Sequence, residues 1–248
     1  MSSKKPVIVY GASGYTGRLV CEYLREYGIP FMAAGRSAEK LNAAMKSNVA
    51  GIETAKYEVV EVLHTTEALT ALFKGASVVL NTVGPFAKFG PEVVEACLAA
   101  KCHYTDTTGE QDWLITLDRE YGARFAAAGL LLSPGLAQMS TTGEIAAHLC
   151  LETPGLDTLD IAVFWGGNPT IASTQTILVN AATSKAFYLE QNEYVEWQPD
   201  AGLYHLSIPG QHEAALALPW GGTSHAVCSR RTRAWPMSGC WAAYSTSR

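Results

Sequence analysis

The chain has 248 residues, 48% of them hydrophobic and 17% charged, with a formal net charge of −5. That leaves room for one large or two small domains with a sound core, and it excludes a broad basic face for nucleic acid. The longest apolar runs, such as 126–132, fall far short of the roughly 20 residues that span a bilayer, so no membrane span is expected.

Residues 1–6 lead straight into the first element and hold neither the apolar core nor the cleavage site of a secretory signal. Val7, Ile8, Val9 and Tyr10 have strand character and run into glycines at 11, 14 and 17. A helix follows, with Leu19, Val20, Tyr23, Leu24 and Tyr27 spaced for one buried face and Gly28 to stop it. Strand, glycine turn and helix in this order suit a phosphate, because a helix N-terminus offers unpaired N–H groups and the positive end of its dipole. Gly11 allows a tight turn, Gly14 keeps side chains away from a pyrophosphate, and Gly17 lets the helix pack close to the strand. The spacing is G-x-x-G-x-x-G, not G-x-G-x-x-G, and a plain strand-to-helix turn also uses glycine. The cofactor-binding candidates here are Gly11, Ala12, Ser13, Gly14, Tyr15, Thr16 and Gly17.

A short buried strand is predicted over 30–34. An NAD site carries an acid at this strand's end to hold the ribose 2′-hydroxyl. No acid occurs from Gly28 to Ala38; Arg36 stands there with Ser37 beside it. A guanidinium grips a phosphate bidentately, so NADP is favoured, with NAD as the second choice. Arg36 also suits a surface position that merely ends the strand.

A third strand is expected over 57–63 and a helix over 66–73, then a near-continuous apolar strand over 77–83 of the kind buried on both faces of a parallel sheet. Thr82, Val83, Gly84 and Pro85 follow as cofactor-contact candidates, since Gly and Pro let backbone approach a ligand; Gly and Pro also shape ordinary loops. A helix is predicted over 91–100 with Pro91 near its start, and a fifth strand over 103–107. Asp106 and Glu110 lie just beyond that strand. As carboxylates they could orient a substrate amine or act as acid and base, and they equally suit the first turn of the next helix. That helix is expected over 113–128, followed by a strand over 130–133 and a helix over 141–151. Strand and helix in alternation imply an α/β fold, a Rossmann-type doubly wound parallel sheet.

After Gly155 the rhythm changes. A strand over 159–164, a helix over 172–186 and strands over 193–197 and 203–208 suggest a partial α+β second domain. The expected division is a dinucleotide-binding domain over 1–152, a partial substrate domain over 153–223 and an aberrant or disordered tail over 224–248. The tail has four arginines, no acid, two Trp and two Cys, without clear periodicity. The six cysteines form no C-x-x-C pair and the six histidines lack metal-ligand spacing, so a reduced, cytoplasmic chain without a metal site is expected.

Four segments resemble the saccharopine dehydrogenase-like oxidoreductases: VYGASGYTGRLV at 9–20, AAGRSAEKL at 33–41, the stretch VVLNTVGPFAKFGPEVVEACLAAKCHYTDTTGE at 78–110, and SPGLAQMSTTG at 133–143. The resemblance covers the first 150 residues well and the rest thinly. It implies an NAD(P)-binding Rossmann domain and a second domain that shapes a substrate pocket. It also implies hydride transfer to or from an amino acid, a polyamine precursor or a lipid-linked substrate. The expected function is therefore an NADP(H)-dependent oxidoreductase acting on a small or lipid-linked substrate, with a homodimer as a candidate assembly. The alternative is a non-catalytic NADP-binding module that senses redox state or supports a partner. The tail and the lack of a clear catalytic motif favour that alternative.

Overall fold

The computed structural model describes residues 7–165, 168–183, 185–198, 200, 202–208, 210, 214–225, 227 and 237–244. It divides into two compact units, one of residues 1–107 and 119–134, the other of residues 108–118 and 135–248.

The first unit is built on β1 (Val7–Tyr10), α1 (Tyr15–Glu26), β2 (Phe31–Gly35), α2 (Ala38–Asn48), β3 (Tyr57–Glu61), α3 (Thr66–Phe73), β4 (Val78–Asn81), α4 (Phe86–Ala100) and β5 (His103–Asp106). Along the chain there follow α5 (Gln111–Thr116), a π turn at Leu117–Tyr121, α6 (Gly122–Ala127) and β6 (Leu132–Ser133). The six strands form one parallel sheet in the order β3-β2-β1-β4-β5-β6. This is the expected doubly wound arrangement, with its reversal of strand order between β1 and β4. Ile8, Val9 and Tyr10 are all buried because helices cover both faces of β1. Val9, Phe31, Ala33, Cys21, Leu41 and Met45 form the core under α1 and α2.

Three local expectations change. The buried face of α1 is only partly the one read from its bulky residues: Val20 and Leu24 pack on the core, but Leu19, Tyr23 and Tyr27 are exposed while Gly17 and Cys21 are buried. Gly17 sets the closest approach to the strand, so the packed stripe runs through Gly17, Val20, Cys21 and Leu24, at helical spacing. α4 starts at Phe86, straight after Pro85, which leaves Pro91 inside the helix. The helix expected over 113–128 is broken by the π turn.

The second unit holds α5, α7 (Gln138–Leu151), β7 (Thr158–Trp165), α8 (Ile171–Thr183), β8 (Phe187–Glu190), β9 (Glu193–Glu196), β10 (Tyr204–Ser207), β11 (Ala214–Pro219) and β12 (Met237–Tyr244). Its sheet runs β10-β11-β12-β8-β9, with β7 parallel to β12. Gln111 explains why 108–118 belongs here: its side chain exchanges two hydrogen bonds with the backbone of Phe187, at 2.7 and 3.0 Å. Gln191 and Asn192 take positive φ in the two-residue β8–β9 turn, the geometry that suits a tight hairpin.

Described residues of the expected tail meet earlier parts of the chain. Ser224 and His225 are buried, and His225 Nδ1 lies 2.7 Å from Glu144 Oε1. β12 pairs with β7, β8 and β11. A strand held by neighbours from three distant segments needs no local periodicity of its own, which is why its sequence reads as structureless. Residues 226, 228–236 and 245–248 of that expected tail lie outside the described residues.

Candidate functional site

The glycine turn follows β1. Gly11 has φ +92°, and a Cβ there would lie 2.6 Å from Thr82 Oγ1 and 2.9 Å from Val83 Cγ2. Glycine is required by both the backbone and the crowding. The same crowding brings Thr82 and Val83 against the turn, and Thr82 is locked there by donating both its N–H and its hydroxyl to the Tyr10 carbonyl, at 2.8 and 3.0 Å. A Cβ on Gly17 would collide with the Gly11 carbonyl oxygen and come 2.7 Å from Ala12 Cα. A Cβ on Gly14 would meet only the Gly11 oxygen, at 3.3 Å. Gly17 is therefore the packing glycine, and Gly14 leaves space.

The donors of the turn divide into two sets. The N–H groups of Gly11 and Ala12 both point at the Ala34 carbonyl, at 2.9 and 3.3 Å, and Gly14 N–H is given to Gly11 O at 2.9 Å. Ala12 is fully buried in the core. These groups build the turn. Gly14 caps α1 without a side chain, and no acid lies in the first turn. Helical geometry leaves the N–H groups of Tyr15, Thr16 and Gly17 without an intrahelical acceptor. An anion at this end would meet those N–H groups, the exposed Ser13 and Thr16 side chains and the positive end of the dipole. The residues present thus fit the phosphates of a dinucleotide.

At the end of β2, Arg36 is exposed and Ser37 caps α2, its Oγ accepting from Lys40 N at 3.3 Å. The Arg36 charge reaches the Tyr10 hydroxyl. Burial pushes the Tyr10 pKa up to about 12; Arg36 opposes that shift and Glu92 adds to it. The hydroxyl lies 2.8 Å from His64 Nδ1, and His64 Nε2 lies 3.4 Å from Glu92 Oε2.

A carboxylate unforeseen in the sequence reaches the start of α2, two residues after Arg36. Glu61 is the last residue of β3, level with Gly35 in the sheet register, and its Oε2 accepts from Ala38 N at 2.7 Å. Glu61 lies far from Arg36 along the chain, and only the parallel pairing of β2 with β3 brings it to that strand end.

At the end of β4 a buried relay of hydrogen bonds begins. Val83 N donates to Asn81 Oδ1 at 3.0 Å, Asn81 Nδ2 to the Tyr104 hydroxyl at 3.3 Å, and that hydroxyl to Asp106 Oδ2 at 2.7 Å. Asn81 and Asp106 are register partners and both are fully buried. Burial, and then the Asp106 charge, hold the Tyr104 pKa well above its ordinary value. Gly84 and Pro85 continue the loop, and Pro85 is the N-cap residue of α4. Glu110 belongs to the second unit, where it is buried as the N-cap residue of α5 and donates its own N–H to Thr108 Oγ1 at 3.0 Å.

Apart from Glu110, the sites read from sequence gather in two groups within the first unit. Gly11 adjoins Thr82 and Val83, Arg36 and Ser37 lie at the next strand end, and Asp106 connects to Val83 through the relay.

Two families match this sequence. The saccharopine dehydrogenase NADP binding domain matches residues 7–130. A family of unknown function (DUF5938) matches residues 141–236 and so takes in the expected tail as far as residue 236. A lipid droplet localized protein of Caenorhabditis elegans is 33% identical over 135 residues, 52% of this chain and 32% of that protein. The human saccharopine dehydrogenase-like oxidoreductase is 30% identical over 139 residues, 51% of this chain and 32% of that protein. A trans-acting enoyl reductase of Mycobacterium bovis is 35% identical over 108 residues, 42% of this chain and 25% of that protein. The aligned part of the chain spans a third or less of the length of these curated relatives. Among solved structures, an oxidoreductase of Bacillus subtilis aligns with all of this chain and 66% of its own, with a TM-score of 0.46 and 12% identity. No helix among the described residues is long and apolar enough to cross a membrane.

Proposed function

We propose that the chain, which belongs to the saccharopine dehydrogenase NADP-binding domain family, is an NADP(H)-dependent oxidoreductase. The observation that carries this reading is the start of α1: Gly14 brings no capping side chain, no acid lies in the first turn, and Gly17 seats the helix against the strand. Arg36 at the end of β2 supports NADP over NAD as a ligand for the 2′-phosphate, with the Ser37 hydroxyl beside it. Bound NADPH would supply the hydride for the reaction.

The chain's own residues do the placing. In this reading Ser13, Tyr15, Thr16 and Gly17 hold the pyrophosphate by their N–H groups, while Gly11 and Ala12 build the turn. Thr82 and Val83 wall the cofactor site, with Gly84 and Pro85 continuing that wall. Asp106 is a positioning residue in this scheme: through Tyr104 and Asn81 it fixes the Val83 N–H. Glu110 is kept as a candidate acid or base for the reduced substrate. The names of two relatives, a lipid droplet protein and an enoyl reductase, support a lipid-linked substrate over an amino acid, and a cytoplasmic setting suits both.

Calorimetric titration with NADPH, followed by a screen of enoyl thioesters and amino acids for NADPH oxidation at 340 nm, an absorbance common to reduced nicotinamides, tests the reading. Saturable NADPH binding with turnover of one substrate class supports it. Binding without turnover of any substrate supports the non-catalytic module, and no binding overturns both.

A further inference from the structure

We propose that Glu61 is a second determinant of cofactor choice, acting against Arg36; the inference rests on the NADP-binding reading above. Three features converge at the carboxyl end of β2. Arg36 is exposed directly after the strand, Ser37 caps α2, and the Glu61 carboxylate crosses from β3 to accept the N–H of Ala38 at 2.7 Å. Ala38 is the first residue of α2, so one helix donor that a phosphate would use is already given to a carboxylate.

The consequence differs for the two cofactors. A 2′-phosphate drawn in by Arg36 meets a like charge at the same helix end and must displace it. A ribose with a plain 2′-hydroxyl meets an acceptor instead. That is the role an acid at the end of the second strand has in NAD sites; here the acid comes from the neighbouring strand. Arg36 and Glu61 therefore pull in opposite directions, and the preference for NADPH is smaller than Arg36 alone would set. Specificity built from one attractive and one repulsive group responds to removal of either.

Glu61→Gln isolates the charge, because the amide keeps the size and an oxygen that can accept from Ala38 N. Glu61 is exposed, so the charge is partly screened and the expected gain is modest, about two- to fivefold tighter NADPH binding. NADH binding stays level or weakens. The gain shrinks between low and high salt, as a screened repulsion must. Glu61→Lys pushes the same way and further, which covers the case in which glutamine repacks.

Titration of the unmutated chain, Glu61→Gln, Glu61→Lys and Arg36→Ala with NADPH and NADH decides the matter. A rise in the NADPH-to-NADH affinity ratio in both Glu61 variants supports the inference. An unchanged or lowered ratio overturns it. If at the same time Arg36→Ala loses NADPH affinity, the cofactor reading survives and only the role of Glu61 falls; if the unmutated chain binds no NADPH, the cofactor reading itself falls.

Discussion

The helices of the first sheet begin in two ways. α2 and α3 are closed by their own residues: Ser37 accepts from Lys40 N and Thr65 from Ala68 N, each at 3.3 Å, and Glu39 and Glu67 put an acid in each first turn. α1 and α4 start at Gly14 and Pro85, without a capping side chain and without an acid in the first turn. The first pair follows β2 and β3; the second follows β1 and β4, the neighbours between which the strand order reverses. A cap and an acid satisfy the orphan donors and oppose the dipole, so a capped end has little left for an external anion. The two uncapped helix ends thus lie beside the switch point, the place where ligands of open α/β sheets bind.

The largest expected effect comes from filling the seat of α1. In Gly17→Val the branched side chain would press on backbone of Gly11 and Ala12, which cannot move without opening the turn. Overpacking of this kind should lower the thermal midpoint by roughly 5–10 °C and remove measurable NADPH binding, by circular dichroism and calorimetry respectively. Gly14→Asp separates binding from folding. It gives α1 the kind of cap that α2 already has, in a backbone conformation that suits one, φ −73° and ψ 167°. NADPH affinity should fall on the order of 100-fold from the added charge and the lost donors, while the midpoint stays within about 3 °C. Retained affinity in this variant would mean that the phosphates lie elsewhere.

Arg36→Ala tests the neighbouring strand end. Loss of a charge-assisted bidentate contact should weaken NADPH by about 10- to 100-fold and leave NADH within about threefold. Equal losses for both cofactors would show that Arg36 does not meet the group that distinguishes them.

The sequence carried the first unit further than the second, for a physical reason. β1 and β4 are short, mostly apolar runs that end in glycine or proline turns, and their strand character is written in the residues themselves. β12 draws its place from β7, β8 and β11, so its residues 237–244 carry little signal alone. The same distinction holds at the site. Gly11, Gly14 and Gly17 lie in one local motif and read directly. Glu61 and Asn81 matter because register sets Glu61 level with Gly35 and Asn81 level with Asp106, and register is not local. The face of α1 shows a partial failure: bulk pointed rightly to Val20 and Leu24 but wrongly to Leu19, Tyr23 and Tyr27, because the absence of bulk at Gly17 sets which side packs.

The smallest expected effect sharpens the comparison from its capped side. Thr65→Ala removes the acceptor of Ala68 N and leaves α3 beginning as α1 does, without a cap. Loss of such a cap costs about 1 kcal/mol, which for a chain of this length lowers the thermal midpoint by roughly 2–4 °C. NADPH affinity should stay within about twofold, because Glu67 still opposes an anion at that end and β3 lies away from the switch point. The two readouts discriminate: a lost cap at α3 affects stability alone, whereas an added cap at α1 affects binding. If Thr65→Ala weakened NADPH as strongly as Gly14→Asp, capping state would not be what sets the two helix pairs apart, and the anion would have to be sought across the whole carboxyl edge of the sheet.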